Sequence, residues 1–188
     1  MRKTLIIVAH PNYHTSITTK QITEYLKDTT EAKAGEITFR NLIMLYPDYK
    51  IDKKAEQEAL KSAEIIVFQF PFYWYSIPGI LKTWMDEVLE YGFAYGKTGD
   101  KLKGKHLILS FSTGGPAESY VHGARNNFEI EELLSPIIQT SNLMGTIFEK
   151  PVVSFSMANI PGIETDKTAL IQKSTEHARR LYDAILSL

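Results

Sequence analysis

Residues 65–90 read IIVFQFPFYWYSIPGILKTWMDEVLE, and three kinds of structure follow one another in them. Ile65-Ile66-Val67-Phe68-Gln69-Phe70 is a continuous β-rich, largely apolar run, the pattern of a strand covered on both faces. Pro71 and Pro78 then bracket an aromatic stretch, Phe72-Tyr73-Trp74-Tyr75-Ser76-Ile77. Pro78 suits a first helical turn. Ile80, Leu81, Trp84, Met85, Val88 and Leu89 then recur at helical spacing, with Asp86, Glu87 and Glu90 on the opposite side. A buried strand followed by an amphipathic helix is the repeating step of a parallel α/β sheet.

The same step recurs on either side. Leu5–Ala9 and His106–Phe111 are further apolar strands, Val152–Phe155 is another, and Glu36–Arg40 is a weaker, alternating candidate. Helices are predicted over Ile17–Lys27, Asp52–Ala63 and Asp166–Leu186. The periodic run Phe128–Met144 is expected to break at Pro136, with Ser135 capping a second piece that Gly145 ends. The fold expected is α/β: a five-stranded parallel sheet with helices on both faces, in one domain over residues 1–188. Such sheets bind ligands beyond the carboxyl ends of their strands, near the point where strand order reverses.

Composition narrows the chemistry. The 188 residues carry 21 Lys+Arg against 22 Asp+Glu, a net charge of −1, which argues against nucleic acid as the main partner. Cysteine is absent, so thiol nucleophiles and cysteine metal sites are excluded. No apolar run reaches the ~18 residues of a membrane span, and no signal-peptide cleavage pattern accompanies Leu5–Ala9. A cytoplasmic protein without membrane insertion is expected. Gly92–Thr98 imitates a phosphate loop but lacks one residue between its glycines, and no G-x-S-x-G elbow exists. His10 and His14 sit in a Pro-containing loop, where four-residue spacing does not align metal ligands, so no metal is expected. His106 and His177 fall in a strand and a helix and read as structural, and Lys101, Lys103 and Lys105 as a solvated turn.

Three strand ends hold the candidate site. After the first strand, His10-Pro11 leads to Thr15, Ser16, Thr18 and Thr19 where a helix begins; hydroxyls and free N–H groups there suit one phosphate, or simply an N-cap. After the third, four consecutive rings, Phe72, Tyr73, Trp74 and Tyr75, cannot all enter one core; they suit a flat ring or a subunit contact. After the fourth, Ser112-Thr113-Gly114-Gly115 lets backbone approach a ligand, or makes a plain turn. A flat, phosphate-tailed ligand accounts for all three loops together. Nine of the 21 aromatic residues, six in Phe68–Tyr75 with Tyr91, Phe93 and Tyr95, are expected around this pocket and an adjoining subunit seam.

The three loops, with Tyr46-Pro47-Asp48, Glu56-Gln57-Glu58-Ala59-Leu60 and Gly92-Phe93-Ala94-Tyr95-Gly96, resemble the flavodoxin-like NAD(P)H:quinone oxidoreductases. That family includes DT-diaphorase, bacterial quinone reductases and ancillary proteins of potassium-efflux systems. The resemblance implies flavin phosphate on His10 and Ser16-Ile17-Thr18-Thr19, the flavin ring against Phe72–Tyr75, and its pyrimidine edge on Ser112–Gly115. It implies FMN, with FAD as the alternative, NAD(P)H as co-substrate, and ping-pong hydride transfer to quinones. Backbone N–H groups of Thr113–Gly115 are then expected to face charge developing on the reduced ring. It further implies a homodimer with a shared active site, Tyr95 reaching across it, and Tyr120 lining the substrate pocket as at most a proton donor or orienter. His122 stands two residues from Tyr120 as a possible pocket partner. Three alternatives stay open: a one-electron flavodoxin carrier, a flavin-binding regulatory subunit in peripheral contact with a potassium-efflux transporter, and a cofactor-free interaction domain.

Overall fold

The computed structural model describes residues 2–159, 162 and 165–188. Its sheet is built from β1 (Thr4–Val8), β2 (Ile37–Asn41), β3 (Ile65–Pro71), β4 (His106–Ser112), β5 (Ile147–Phe148) and β6 (Val152–Ser154), all paired parallel. The order is β2-β1-β3-β4, and the last position is shared. β5 pairs with His106–Leu107 and β6 with Ser110–Ser112 on the same neighbour. The fifth strand expected at Val152–Phe155 is therefore two stubs, with Glu149-Lys150-Pro151 between them. Going from β1, the chain adds β2 on one side and β3 on the other, so strand order reverses at β1/β3.

Helices α1 (Ile17–Lys27) and α8 (Lys167–Leu186) cover one face, and α5 (Gly79–Val88) and α7 (Ser135–Met144) the other. Side chains alternate along a strand, so Ile6, Val8 and Val67 pack with Ile22, Leu26 and Leu181, while Ile7, Ile66 and Phe68 pack with Leu81, Trp84 and Val88. Three of the nine aromatics assigned to the pocket and seam, Phe68, Phe70 and Phe93, belong instead to this core. Phe68 meets Trp84 edge-on at 5.7 Å, and Phe70 stacks on Phe111 at 5.4 Å. No helix among the described residues is long and apolar enough to cross a membrane.

Two helix ends differ from expectation. Pro78 is the N-cap of α5 and not its first turn. Ser135 is the first residue of α7 and Leu134 its N-cap, because α6 (Ile130–Leu133) runs almost directly into it. Gly145 does end α7, at φ 69°, a conformation most side chains resist. Single-turn helices α2 (Thr30–Lys33) and α3 (Leu42–Leu45) are additional.

Three polar clusters lock the layers. Glu56 of α4 (Lys53–Ser62) is 0 % exposed, and its carboxylate accepts from Arg40 Nε at 2.7 Å, the Tyr46 hydroxyl at 2.6 Å and Trp84 Nε1 at 2.9 Å. His177 of α8 is buried between Ser110 Oγ and Ser154 Oγ, each at 2.8 Å, which ties that helix to β4 and β6. Lys105 is not simply solvated: its ammonium donates to the carbonyls of Lys61 and Ala63 at the end of α4, a favourable place for a cation.

Candidate functional site

The carboxyl ends of β1, β3 and β4 open on one cavity of about 590 Å³. Its wall takes in His10, Ser16, Ile17, Thr18 and Thr19 from the first loop, Phe72, Tyr73 and Trp74 from the second, and Ser112, Thr113 and Gly114 from the third. No lysine or arginine is among its lining residues.

In the first loop, a single turn at Tyr13–Thr15 delivers Ser16 to the N-cap of α1, where its Oγ accepts from Thr19 N–H at 3.1 Å. The N–H groups of Ile17 and Thr18 have no partner among the described residues, as the first turn of a helix leaves them. Both residues line the cavity, at the positive end of an 11-residue helix. His10 is buried beside them, and burial pushes its imidazole down to about 4. Its Nδ1 accepts from Asn12 N–H at 3.0 Å, so the ring proton sits on Nε2. The first loop thus offers neutral donors and a helix dipole, which suit a phosphate without a cation.

In the second loop, Tyr73 and Ser76 are bridged across a tight turn whose two central residues are left-handed, Trp74 at φ 51° and Tyr75 at φ 60°. Such turns ordinarily carry Asn-Gly, and each bulky residue there costs roughly 1–2 kcal/mol. The consequence is that Trp74 is 92 % exposed while Phe72 is buried, 5.0 Å from Phe111. Phe72 N–H donates to Ser112 O at 2.8 Å, which joins the second loop to the third. In the third, Thr113 N–H is taken by Ser154 O at 2.9 Å, which corrects its expected role as a free donor. The N–H groups of Gly114 and Gly115 are left without partners among the described residues.

Other predicted residues lie off the cavity wall. Gly115 and Tyr75 adjoin the lining residues Gly114 and Trp74 in sequence without lining the cavity themselves, and Tyr75 donates to Asn126 Oδ1 at 3.1 Å. Tyr95 packs edge-on against Tyr91 at 5.8 Å. Tyr120 is buried against Phe155 and lines a separate cavity of about 320 Å³; burial raises its phenol. His122 does not meet Tyr120: Nδ1 lies 3.1 Å from Asn127 O and Nε2 3.1 Å from Glu132. Met157, Ala158 and Asn159 line the cavity without having been singled out in the sequence. They follow β6, so the strand-end rule itself is the signal that could have found them.

Two buried histidines set a pH dependence. His10 is held at about 4 by burial, and His177 at about 3 by burial and then the charge of Arg180. Unfolded imidazole titrates near 6.5, so the unfolded chain binds the extra protons. Their contribution to stability is complete above pH ~6.5 and is lost as pH falls towards ~4. Unfolding at pH ~5 should take up about two protons from this pair and almost none at pH ~8. Calorimetry across that window checks it; a flat melting temperature contradicts it, and His177→Asn should remove about half of the slope.

The family model for the flavodoxin-like fold matches residues 2–181. YrkL of Bacillus subtilis, named an uncharacterized NAD(P)H oxidoreductase, is 44% identical over 146 residues, 78% of this chain and 81% of that one. The glutathione-regulated potassium-efflux system ancillary protein KefF of Salmonella enteritidis is 43% identical over 153 residues, 81% of each chain. Among solved structures, general stress protein 14 of Treponema denticola, in complex with FMN, superposes with a TM-score of 0.84 at 34% identity, covering 98% of both chains.

Proposed function

The chain belongs to the flavodoxin-like fold family, and from that premise we propose that it is an FMN-dependent NAD(P)H oxidoreductase acting on quinones and similar flat electrophiles. The observation that carries the reading is the convergence of three unlike surfaces on one cavity: free helix N–H groups, aromatic faces and glycine N–H groups. Ile17 and Thr18 N–H, with the hydroxyls of Ser16, Thr18 and Thr19, would hold the phosphate, and His10 Nε2–H, 3.3 Å from the Tyr73 hydroxyl, would be shared between that hydroxyl and the phosphate. Phe72, Tyr73 and Trp74 would flank the ring, and Gly114 and Gly115 N–H would face its pyrimidine edge. When bound, a flavin supplies hydride acceptance from NAD(P)H and hydride delivery to a second substrate.

The protein's share of the chemistry is position and electrostatics. Neutral His10 donates a hydrogen bond to an anion without adding charge. The glycine N–H groups stabilise negative charge at the ring edge, as an oxyanion hole does. With a flavin held there, both substrates would enter the same cavity in turn, a ping-pong scheme. Trp74, Tyr91 and Tyr95 are exposed, and a second copy of the chain covering them would complete the site with its Tyr95. Similarity to KefF favours a second reading, a regulatory subunit of a potassium-efflux transporter, for which co-purification with such a transporter is the test.

The deciding experiment is a titration of the purified protein with FMN, followed anaerobically by NAD(P)H and then a quinone. The expected result is a tightly bound yellow cofactor that NAD(P)H bleaches and quinone recolours, on a species of twice the chain mass by light scattering. Absence of FMN binding under native conditions would refute the proposal.

A further inference from the structure

Left-handed conformations at side-chain-bearing residues persist only where the surroundings over-determine them. At the Trp74–Tyr75 turn two hydroxyls do so. The Tyr73 hydroxyl lies 3.3 Å from His10 Nε2, tying the turn to the loop after β1. The Tyr75 hydroxyl donates to Asn126 Oδ1 at 3.1 Å, tying it to the segment beyond the glycine pair. Asn126 is itself anchored at two points on Ser119. Its Nδ2 donates to Ser119 Oγ at 2.7 Å and its backbone N–H to Ser119 O at 3.0 Å. Ser119 Oγ in turn donates to Pro116 O at 2.7 Å, one residue past Gly115. A Cβ added at Gly115 would stand 3.3 Å from Asn126 Nδ2. One amide therefore faces both loops, its oxygen towards the aromatic turn and its nitrogen towards the glycine pair.

We infer that Asn126 is a positioning residue: a crosspiece that holds the aromatic turn against the Gly114–Gly115 loop and so sets the width of the slot a flat ring enters. What the slot holds rests on the flavin reading above; the crosspiece does not. Without it Tyr75 loses its tether, and the strained turn is free to relax away from the left-handed region. The loss falls on binding of flat rings and not on the transfer step, because Asn126 acts through Tyr75 and Ser119 and is not on the cavity wall.

The test compares Asn126→Ala, Tyr75→Phe and the double variant, each of which removes the Tyr75–Asn126 hydrogen bond; Asn126→Ala also removes the amide's donation to Ser119 Oγ. One such bond is worth ~1 kcal/mol, so Tyr75→Phe should weaken FMN binding about fivefold and Asn126→Ala at least as much. The double variant should weaken it no further, because the pair acts as a unit. In Asn126→Ala the KM for quinone should rise with kcat unchanged. Asn126→Asp, which keeps an acceptor for Tyr75, should restore most of the loss.

A second readout needs no flavin. The exposed Trp74 should show a larger fast component of fluorescence anisotropy decay in both single variants of the apoprotein. If that component grows while the wild-type protein binds no FMN, the crosspiece stands and the flavin reading falls. If FMN binds and the variants change neither Trp74 mobility nor affinity, or their effects add in the double variant, the crosspiece is refuted.

Discussion

Glu56→Ala is expected to destabilise the fold by about 3–5 kcal/mol, the range for removing one partner of a buried ion pair. The carboxylate is fully buried and accepts from three side chains, Arg40, Tyr46 and Trp84. Truncation leaves the Arg40 guanidinium, three-quarters buried, without its counter-charge. It also strands the Trp84 indole N–H and leaves the Tyr46 hydroxyl proton without an acceptor, its oxygen still accepting from Arg40 Nη2 at 3.0 Å, and each lost partner adds a desolvation penalty. At ~2–4 °C per kcal/mol for a chain of this size, the melting temperature should fall by about 10 °C. Glu56→Gln, which retains acceptor oxygen but not charge, should lose clearly less. Thermal melts followed by the buried Trp84 emission check both, and a melting temperature within ~2 °C of wild type for the Ala variant would contradict the account.

The second large effect separates binding from folding at one atom position. Ser16→Asp keeps an N-cap acceptor for Thr19 N–H, since Asp caps as well as Ser. Its negative charge also sits well with the α1 dipole, so the apoprotein should melt at the same temperature or slightly higher. The same charge stands where the phosphate would be received. Two like charges ~5 Å apart at an effective dielectric near ~20 repel by ~3 kcal/mol, so FMN affinity should fall by about 100-fold. Fluorescence titration with FMN gives the affinity and a melt of the apoprotein gives the stability. Unchanged affinity would remove the α1 N-terminus from the flavin site.

The parts of this architecture that sequence reveals are those with a strong local pattern. β3 and α5 are readable because a strand buried on both faces is apolar almost without interruption and a ten-residue helix shows its period. β5, with two residues, has no period to show, and α2, α3 and α6 are each a single turn. In the site, Ser16, Thr18, Thr19 and Gly114 announce themselves by hydroxyl density or glycine at a strand end. Met157–Asn159 carry no such mark and reach the cavity only because β6 ends beside β4. Trp74 turns outward on a left-handed backbone that sequence reading assigns to Asn or Gly, neither of which is present there. Glu56 looks like one acid among the charges of a surface helix, because its partners lie 16, 10 and 28 residues away.

The broken strand at the sheet's margin has a bearing on how the protein behaves at high concentration. A sheet's outermost strand presents unpaired backbone groups and can template pairing with another chain. Here the margin beyond β4 is a two-residue stub, an interruption ending in Pro151, and a three-residue stub. Neither stub is long enough to recruit a foreign strand in register, and a proline has no N–H to offer one. The interruption therefore guards this rim against edge-to-edge aggregation, while the pairing that supports the cavity floor, Ser110–Ser112 with Val152–Ser154, stays complete.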